Sequence, residues 1–301
     1  MTGWLAGGLH WDGARPFLKA TRGERQAARE LTAGERISWR VSGPRRCVGA
    51  WLGSAVGHRP CPHRAEVDPA GTGSQCPACQ SADLGLRLAR DQMPDDGRRY
   101  RLYLAWFGAC LLKVGLTAAE RGTNRLVEQG ALAFTFLAGG SLPAVRRAEL
   151  TVSASGLARE RYPVRTKVER WWRLPDQRSA QAELTAGRRR ALALLAGHDL
   201  DLAPDEPLVD HRALFGLTAD APPAYREVAA LADGATLTGS LRAPIGRHLF
   251  LDTATGPQPL LLDTRRLTGW LLAPAQDAEC AGLRLVDRRR PEDQGSQQAL
   301  F

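Results

Sequence analysis

Apolar and polar positions alternate over residues 3–11 and again over residues 35–41. That is the period of half-buried strands, and a polar stretch rich in Arg and Glu separates the two runs. From Cys47 to Cys79 the pattern stops, because Gly49, Gly53, Gly57, Pro60, Pro62, Pro69, Gly71 and Gly73 break any regular element. A polar linker over residues 91–99 precedes the strongest apolar block. Residues 100–107 and 109–116 predict an antiparallel hairpin hinged at Gly108, and residues 131–137 a third strand of the same sheet. Between them, residues 118–129 have helical composition, with Leu126 and Val127 on one side and Gly130 as a fitting C-cap. Pro143 opens a second helix over residues 144–151. Arg188, Arg189 and Arg190 lead into an Ala- and Leu-rich helix whose arginines are expected to be exposed. After a Pro- and Asp-rich connection (199–223), short apolar runs at 235–241, 247–252, 258–263 and 267–272 predict a small β-unit, joined by the N-terminal strands. Residues 288–301 are polar and expected to fray.

This order of elements gives an α+β protein in four parts. N-terminal strands (1–46) precede a cysteine segment (47–90), a small mixed sheet with helices and a basic helical extension (100–198), and the C-terminal β-unit (224–287). With 301 residues, 44% hydrophobic and 24% charged, the chain can bury a real core, which excludes wholesale disorder and collagen-like or disulfide-scaffold classes. No apolar run is long enough to span a bilayer, and Asp12, Arg15 and Lys19 interrupt any leader-like block. No membrane is expected, and a cytoplasmic address follows as the default.

Cysteine placement adds chemistry. Cys47, Cys61, Cys76 and Cys79 cluster, whereas Cys110 and Cys280 stand alone in apolar surroundings and are expected to be buried thiols. Cys76-Pro-Ala-Cys79 is a CxxC turn that lets two thiolates reach one tetrahedral ion, and the breaker-rich segment around it cannot build its own core. A zinc-ribbon-like site holding one structural zinc on the four cysteines is therefore expected, with His63 as the substitute for Cys61. A redox CxxC would sit at a helix N-terminus after a strand, not after a Gly/Pro loop.

The net charge of +9 and a pI near 9.8 favour polyanionic partners. Of 41 basic residues only Lys19, Lys113 and Lys167 are lysines, so part of the arginine count reflects codon bias rather than function. Residues 146–190 nevertheless hold twelve basic residues against five acidic ones, with Trp171 and Trp172 between Arg170 and Arg173. Two uses fit this interleaving: contact with phosphates and bases, or a solvated helix whose tryptophans anchor it to the core. Arg121, Arg165, Lys167, Arg170 and Arg173 are the candidate nucleic-acid contacts.

The order hairpin, helix, strand, helix from Tyr100 onward resembles the GIY-YIG nuclease superfamily. Arg101-Leu102-Tyr103 is similar to its first signature and Lys113-Val114-Gly115 to its second, with Lys in place of Tyr. The resemblance implies a Mg2+- or Mn2+-dependent endonuclease core in which Tyr103, Lys113, Arg125 (or Arg121 one turn earlier) and Glu149 carry catalysis. Tyr103 would position or activate the nucleophile, Arg125 would offset phosphate charge, and Glu149 would hold the divalent cation. Lys113 is a poor base, which also leaves open a silent DNA- or RNA-binding module or a protein-interaction scaffold. Over most of its length, through Arg45-Arg46-Cys47, Pro60-Cys61-Pro62, the Lys-Val-Gly-Leu-Thr block and Glu128-Gln129-Gly130-Ala131, the chain is similar to an uncharacterised bacterial and archaeal domain-of-unknown-function family.

Overall fold

The alternation near the N-terminus folds into strands, and so does the polar stretch inside it. The computed structural model, which describes residues 3–53, 56–217, 221–276 and 279–290, begins with β1 (Trp4–Asp12), β2 (Arg15–Arg22), β3 (Arg25–Glu30) and β4 (Arg36–Ser42). β2 and β3 extend the sheet antiparallel from β1. The apolar pattern gave no sign of β3 because every position of it is exposed. Charged side chains on such an edge discourage further pairing.

The cysteine segment holds two-residue strands β5 (Ala50–Trp51) and β6 (His58–Arg59), then helices α1 (Pro77–Ala82) and α2 (Leu84–Ala89). The buried Asp83 between the helices organises it. Its carboxylate accepts from the backbone N–H of Leu86, capping α2, and from Trp51 N–H and Gln75 Nε2, all at 2.9 Å.

β7 (Tyr100–Trp106) and β8 (Leu112–Ala118) form the expected antiparallel hairpin, with Tyr103 opposite Gly115 and Ala105 opposite Lys113. The expected helix over residues 118–129 is mostly absent. β8 runs on to Ala118, a 3-10 turn follows, and Gly122 at φ +50° breaks the chain, so α3 is only Asn124–Glu128. β9 (Ala133–Gly140) starts later than expected and pairs with the other edge of β7; α4 (Leu142–Ala154) is longer than expected. Next come α5 (Val164–Arg170) and α6 (Gln177–Leu195), the latter capped by Asp176 on Ser179 N–H at 3.0 Å. Strands β10 (Asp201–Leu202) and β11 (Val209–Asp210), set in the connection expected to be irregular, add to the free edge of β9.

β7 is buried on both faces. Leu102, Leu104 and Trp106 join Val145, Ala148 and Leu184 of α4 and α6 in the main core, while Tyr103, Ala105 and Phe107 join Leu126, Phe134 and Phe136 in a smaller one. The main core also takes in Trp171 and Trp172. Trp171 meets His248 and Phe250 edge-on, and Trp172 lies against Tyr225 with its Nε1 donating to Pro222 O at 2.8 Å. Both tryptophans are buried, so they anchor α5 and offer no stacking surface for bases.

The C-terminal strands are β12 (Ala224–Leu241), β13 (His248–Asp252), β14 (Leu260–Asp263), β15 (Leu271–Pro274) and β16 (Ala281–Arg289). They merge with the N-terminal strands into one sheet, β13-β14-β12-β4-β15-β1-β2-β3, with β16 along β12. The run expected at 267–272 begins instead as turns, and only its end enters β15. Arg288 and Arg289 belong to β16 rather than to a frayed end; residues 291–301 lie outside the described residues. The molecule is α+β, as expected. Among the described residues no helix is long and apolar enough to cross a membrane.

Candidate functional site

Two constellations carry chemistry. In the first, Cys47, Cys61, Cys76 and Cys79 are all buried and their sulfurs lie within 4.8 Å of one another. Cys61 Sγ and Cys76 Sγ are 3.9 Å apart, far beyond a disulfide and close to the edge of about 3.8 Å that a tetrahedron with metal–sulfur bonds of about 2.3 Å requires. Backbone N–H groups of Gly49 and Cys76 point at Cys47 Sγ, at 3.4 and 3.2 Å. Gly49, at φ +95°, passes so close to Arg59 O that any side chain would collide. Burial opposes ionisation of Cys61, yet N–H groups of Ala65 and His63 and the neighbouring thiols bring it to about 7; burial and the other thiols push Cys79 up. Four buried thiols gathered this closely have the geometry of a metal site, and four sulfur donors could hold a metal ion such as zinc with no open position. His63 is exposed and outside the cluster; it contributes its backbone N–H and does not replace Cys61.

Arg45, two residues before Cys47, moors this segment. Its guanidinium is buried and donates to Thr268 O, Arg265 O, Asp68 O and Gly71 O at 2.6–2.9 Å, joining the cysteine loop to the turns before β15. Cys110 and Cys280 depart from expectation. Cys110 is exposed in the β7–β8 turn at φ +61°, and Cys280 is half-buried against the backbone of Thr238.

The second constellation lies on the Tyr103 face of the small sheet. Lys113 Nζ donates to Tyr103 Oη at 3.0 Å and to Val114 O at 3.2 Å, and Gln129 Nε2 also donates to Tyr103 Oη at 3.0 Å. Gly115 makes room for this meeting, since a Cβ there would lie 2.7 Å from Lys113 Nζ and against the Tyr103 hydroxyl. Burial alone would raise the Tyr103 phenol, but the charges of Lys113 and Arg125 and the two donated hydrogen bonds hold it below its ordinary value. Lys167 sits over the Phe107 ring, 3.6 Å from its centroid. Burial, and then the charges of Lys113, Arg247 and Arg125, push its ammonium down to about 7.

Glu149 projects from α4, is buried, and is bound by Arg146 at 2.7 Å; Arg146 in turn reaches Asp91 at 3.0 Å. Burial raises its carboxyl despite Arg146 and the more distant Lys113. A divalent cation on Glu149 would have to displace that guanidinium. Tyr103 and Lys113 are thus in direct contact, with Arg125 in electrostatic range, whereas Glu149 is in range of Lys113 but bound by Arg146. The helical arginines diverge: Arg165 is exposed and paired with Glu169 at 2.7 Å, Arg121 with Glu128 at 2.7 Å, and Arg173 is exposed. Lys167 alone of that group carries its charge into the Tyr103 cluster.

The family model described as "Protein of unknown function (DUF2797)" matches residues 77–272. The chain belongs to the DUF2797 family. No curated protein and no solved structure matches the sequence. The DUF2797 segment contains Cys79, the whole Tyr103 cluster, Gln129, Glu149 and Arg247, while Cys47, Cys61 and Cys76 precede it. Sequence reasoning missed Gln129 and Arg247. Gln129 lies one helical turn beyond Arg125, a spacing that could have drawn it in; Arg247 comes from a distant β-turn and leaves no local signal.

Proposed function

We propose that this DUF2797 protein binds nucleic acid, with backbone phosphate held on the Tyr103 face and the four-cysteine site filled by a structural zinc. The observation that carries the reading is the Lys113–Tyr103 pair beside Arg125 and Lys167. Among the described residues none of these three cations forms an ion pair, so the positive charge is left for an external anion. The net charge of +9 and the resemblance of Arg101-Leu102-Tyr103 and Lys113-Val114-Gly115 to the GIY-YIG signatures support the same reading.

A second reading, divalent-dependent cleavage of the bound phosphodiester, is favoured by the phenol of Tyr103, which accepts two hydrogen bonds and lies below its ordinary pKa, as a proton acceptor should. Mg2+ or Mn2+ would supply phosphate polarisation when bound. Glu149 is its candidate ligand, and freeing it from Arg146 is the condition.

Anisotropy titration of fluorescent single- and double-stranded DNA and RNA across a salt series tests the binding reading. Lys113→Met should weaken binding, flatten the salt slope by about one ion and leave the fold intact. Salt-insensitive or absent binding of the wild type sinks the reading. Cleavage is tested with Mg2+ or Mn2+ on the same substrates, where Tyr103→Phe and Glu149→Gln should abolish it. Should the wild type bind without cutting, gain of cleavage in Lys113→Tyr would trace that to the lysine.

A further inference from the structure

A cavity of about 450 Å³ opens between α5 and one face of the large sheet, beside the cysteine segment. Its volume falls among small-molecule sites, which span about 300–1,000 Å³. Strand register assembles the floor. Glu227 of β12 lies beside Leu261 of β14, Asp263 lies opposite His248 of β13, and Tyr225 lies opposite Arg288 of β16, so these side chains share one face. Val164 and Val168 of α5 close the cavity from the helix side, and the Trp172 ring, 5.3 Å from that of Tyr225, walls it. The cysteine segment supplies Thr72, next to a backbone moored by Arg266 on Ala70 O and by Arg45 on Gly71 O, both at 2.9 Å.

Two polar atoms of this floor have no hydrogen-bond partner among the described residues. The Tyr225 hydroxyl makes no hydrogen bond although the residue is only 3% exposed, and burial with the charge of Glu227 keeps its proton in place. His248, 8% exposed, has Nδ1 3.3 Å from Ile245 O; a carbonyl can only accept, so the proton sits on Nδ1 and Nε2 presents a lone pair. Asp263, ion-paired with Arg265, stands 3.9 Å from Nε2 and offers it no proton. A ligand that satisfies both atoms brings an acceptor to Tyr225 and a donor to His248. A bare carboxylate or phosphate supplies only the acceptor, and would stand beside Asp263 as a second anion. The edge of a nucleobase carries both kinds of group, and its plane suits a gap walled by valines and a leucine.

Most charges around the cavity are paired. Arg165 binds Glu169, Arg265 binds Asp263 and Arg288 binds Glu227, at 2.6–2.8 Å. Among the described residues Arg266 and Arg289 are left without an ion pair, against the exposed and equally unpaired Asp287. A surplus of one positive charge at the rim fits a single phosphate better than a polyphosphate chain.

We propose that this cavity binds a single nucleotide, with the base inward on Tyr225 and His248 and the phosphate at the mouth on Arg266 and Arg289. Neither the cavity nor its ligand depends on the Tyr103 face, whose residues do not line it. A free mononucleotide and an unstacked nucleotide of a single strand present the same chemistry here.

Calorimetric titration of the full chain with adenosine, guanosine, cytidine and uridine monophosphates, and with ribose 5-phosphate as the base-free control, tests the site. At least one nucleotide should bind about tenfold or more tighter than ribose 5-phosphate. Tyr225→Phe keeps the ring and should shrink that preference by about fivefold. Arg289→Gln, on the exposed rim, should weaken nucleotide and sugar phosphate alike; thermal unfolding checks that each variant is folded. Displacement of the nucleotide by a twelve-nucleotide single strand, but not by a blunt duplex, assigns the cavity to a nucleotide within a strand, and displacement by neither assigns it to the free nucleotide. Displacement by strand and duplex alike overturns the proposal, because a paired base cannot enter the cavity. Equal affinity for nucleotides and ribose 5-phosphate, a preference unchanged in Tyr225→Phe, or binding of no nucleotide overturns it too. Salt-dependent oligonucleotide binding by the wild type, lost or kept in Lys113→Met, decides the Tyr103 reading separately.

Discussion

Lys113 reaches the Tyr103 hydroxyl at 3.0 Å across the β7–β8 pair, over the α-carbon of Gly115, the cross-strand partner of Tyr103. Sequence spacing and strand register converge there. Gly115→Ala would press a methyl group onto the phenol and the ammonium, in a core with no room to give. It should cost about 1–3 kcal/mol and weaken oligonucleotide binding, read by urea midpoints and anisotropy. Unchanged values in both would mean that the pair relaxes freely and is not built around the glycine.

Elemental analysis of purified protein should find one equivalent of zinc, with sulfur-only ligation at about 2.3 Å by X-ray absorption. Cys76→Ser or Cys79→Ser should lose it, whereas Cys110→Ser and Cys280→Ser should retain it in full. Metal loss in either of the latter two would mean that the ligand set is drawn wrongly.

Removing the Arg45 guanidinium strips donors from four backbone carbonyls at once. Arg45→Leu should therefore destabilise by about 3 kcal/mol or more, and limited proteolysis should cut first between Arg45 and Gly73. An Arg45→Leu protein as stable as the wild type would show that the loop is held by its metal alone.

His248 is buried against Trp171, and burial lowers its imidazole to about 4 from the ordinary 6.5, although Asp263 at 3.9 Å acts the other way. The unfolded chain therefore takes up a proton first as acid is added. Stability is complete above pH 6.5 and falls between 6.5 and 4, by about 3 kcal/mol at most from this group. Chemical denaturation at pH 7 and pH 4.5 should show that loss, and His248→Gln should shrink it. An equal loss in the variant would assign the acid sensitivity to other groups.

Much of the small sheet was legible because β7 and β8 are buried on both faces and read as unbroken apolar runs around Gly108. The cysteine cluster was legible from spacing alone. The α3 region was not, since helix-forming side chains at 118–121 gave way to strand pairing with Tyr100 and to the break at Gly122. β3 was invisible because its positions all face water, and Arg247 because its place depends on a glycine-to-glycine contact between segments more than a hundred residues apart. The tryptophans of α5 looked like base-stacking residues in sequence, where a buried anchor beside arginines has the same letters as an exposed platform.

The shared sheet has a consequence for synthesis on the ribosome. β4 hydrogen-bonds to β12 and β15, and β1 to β15, so the N-terminal strands wait for partners made some two hundred residues later. Until then Ile37, Trp39 and Val41, buried in the finished protein, have no cover from that side of the sheet. The intervening segment, with its local β7–β8 hairpin and α4, can close first, which makes the emerging chain a helix-backed core trailing an unsatisfied β-ribbon. The emergence of β12 and β15 is therefore the step at which this fold is won or lost.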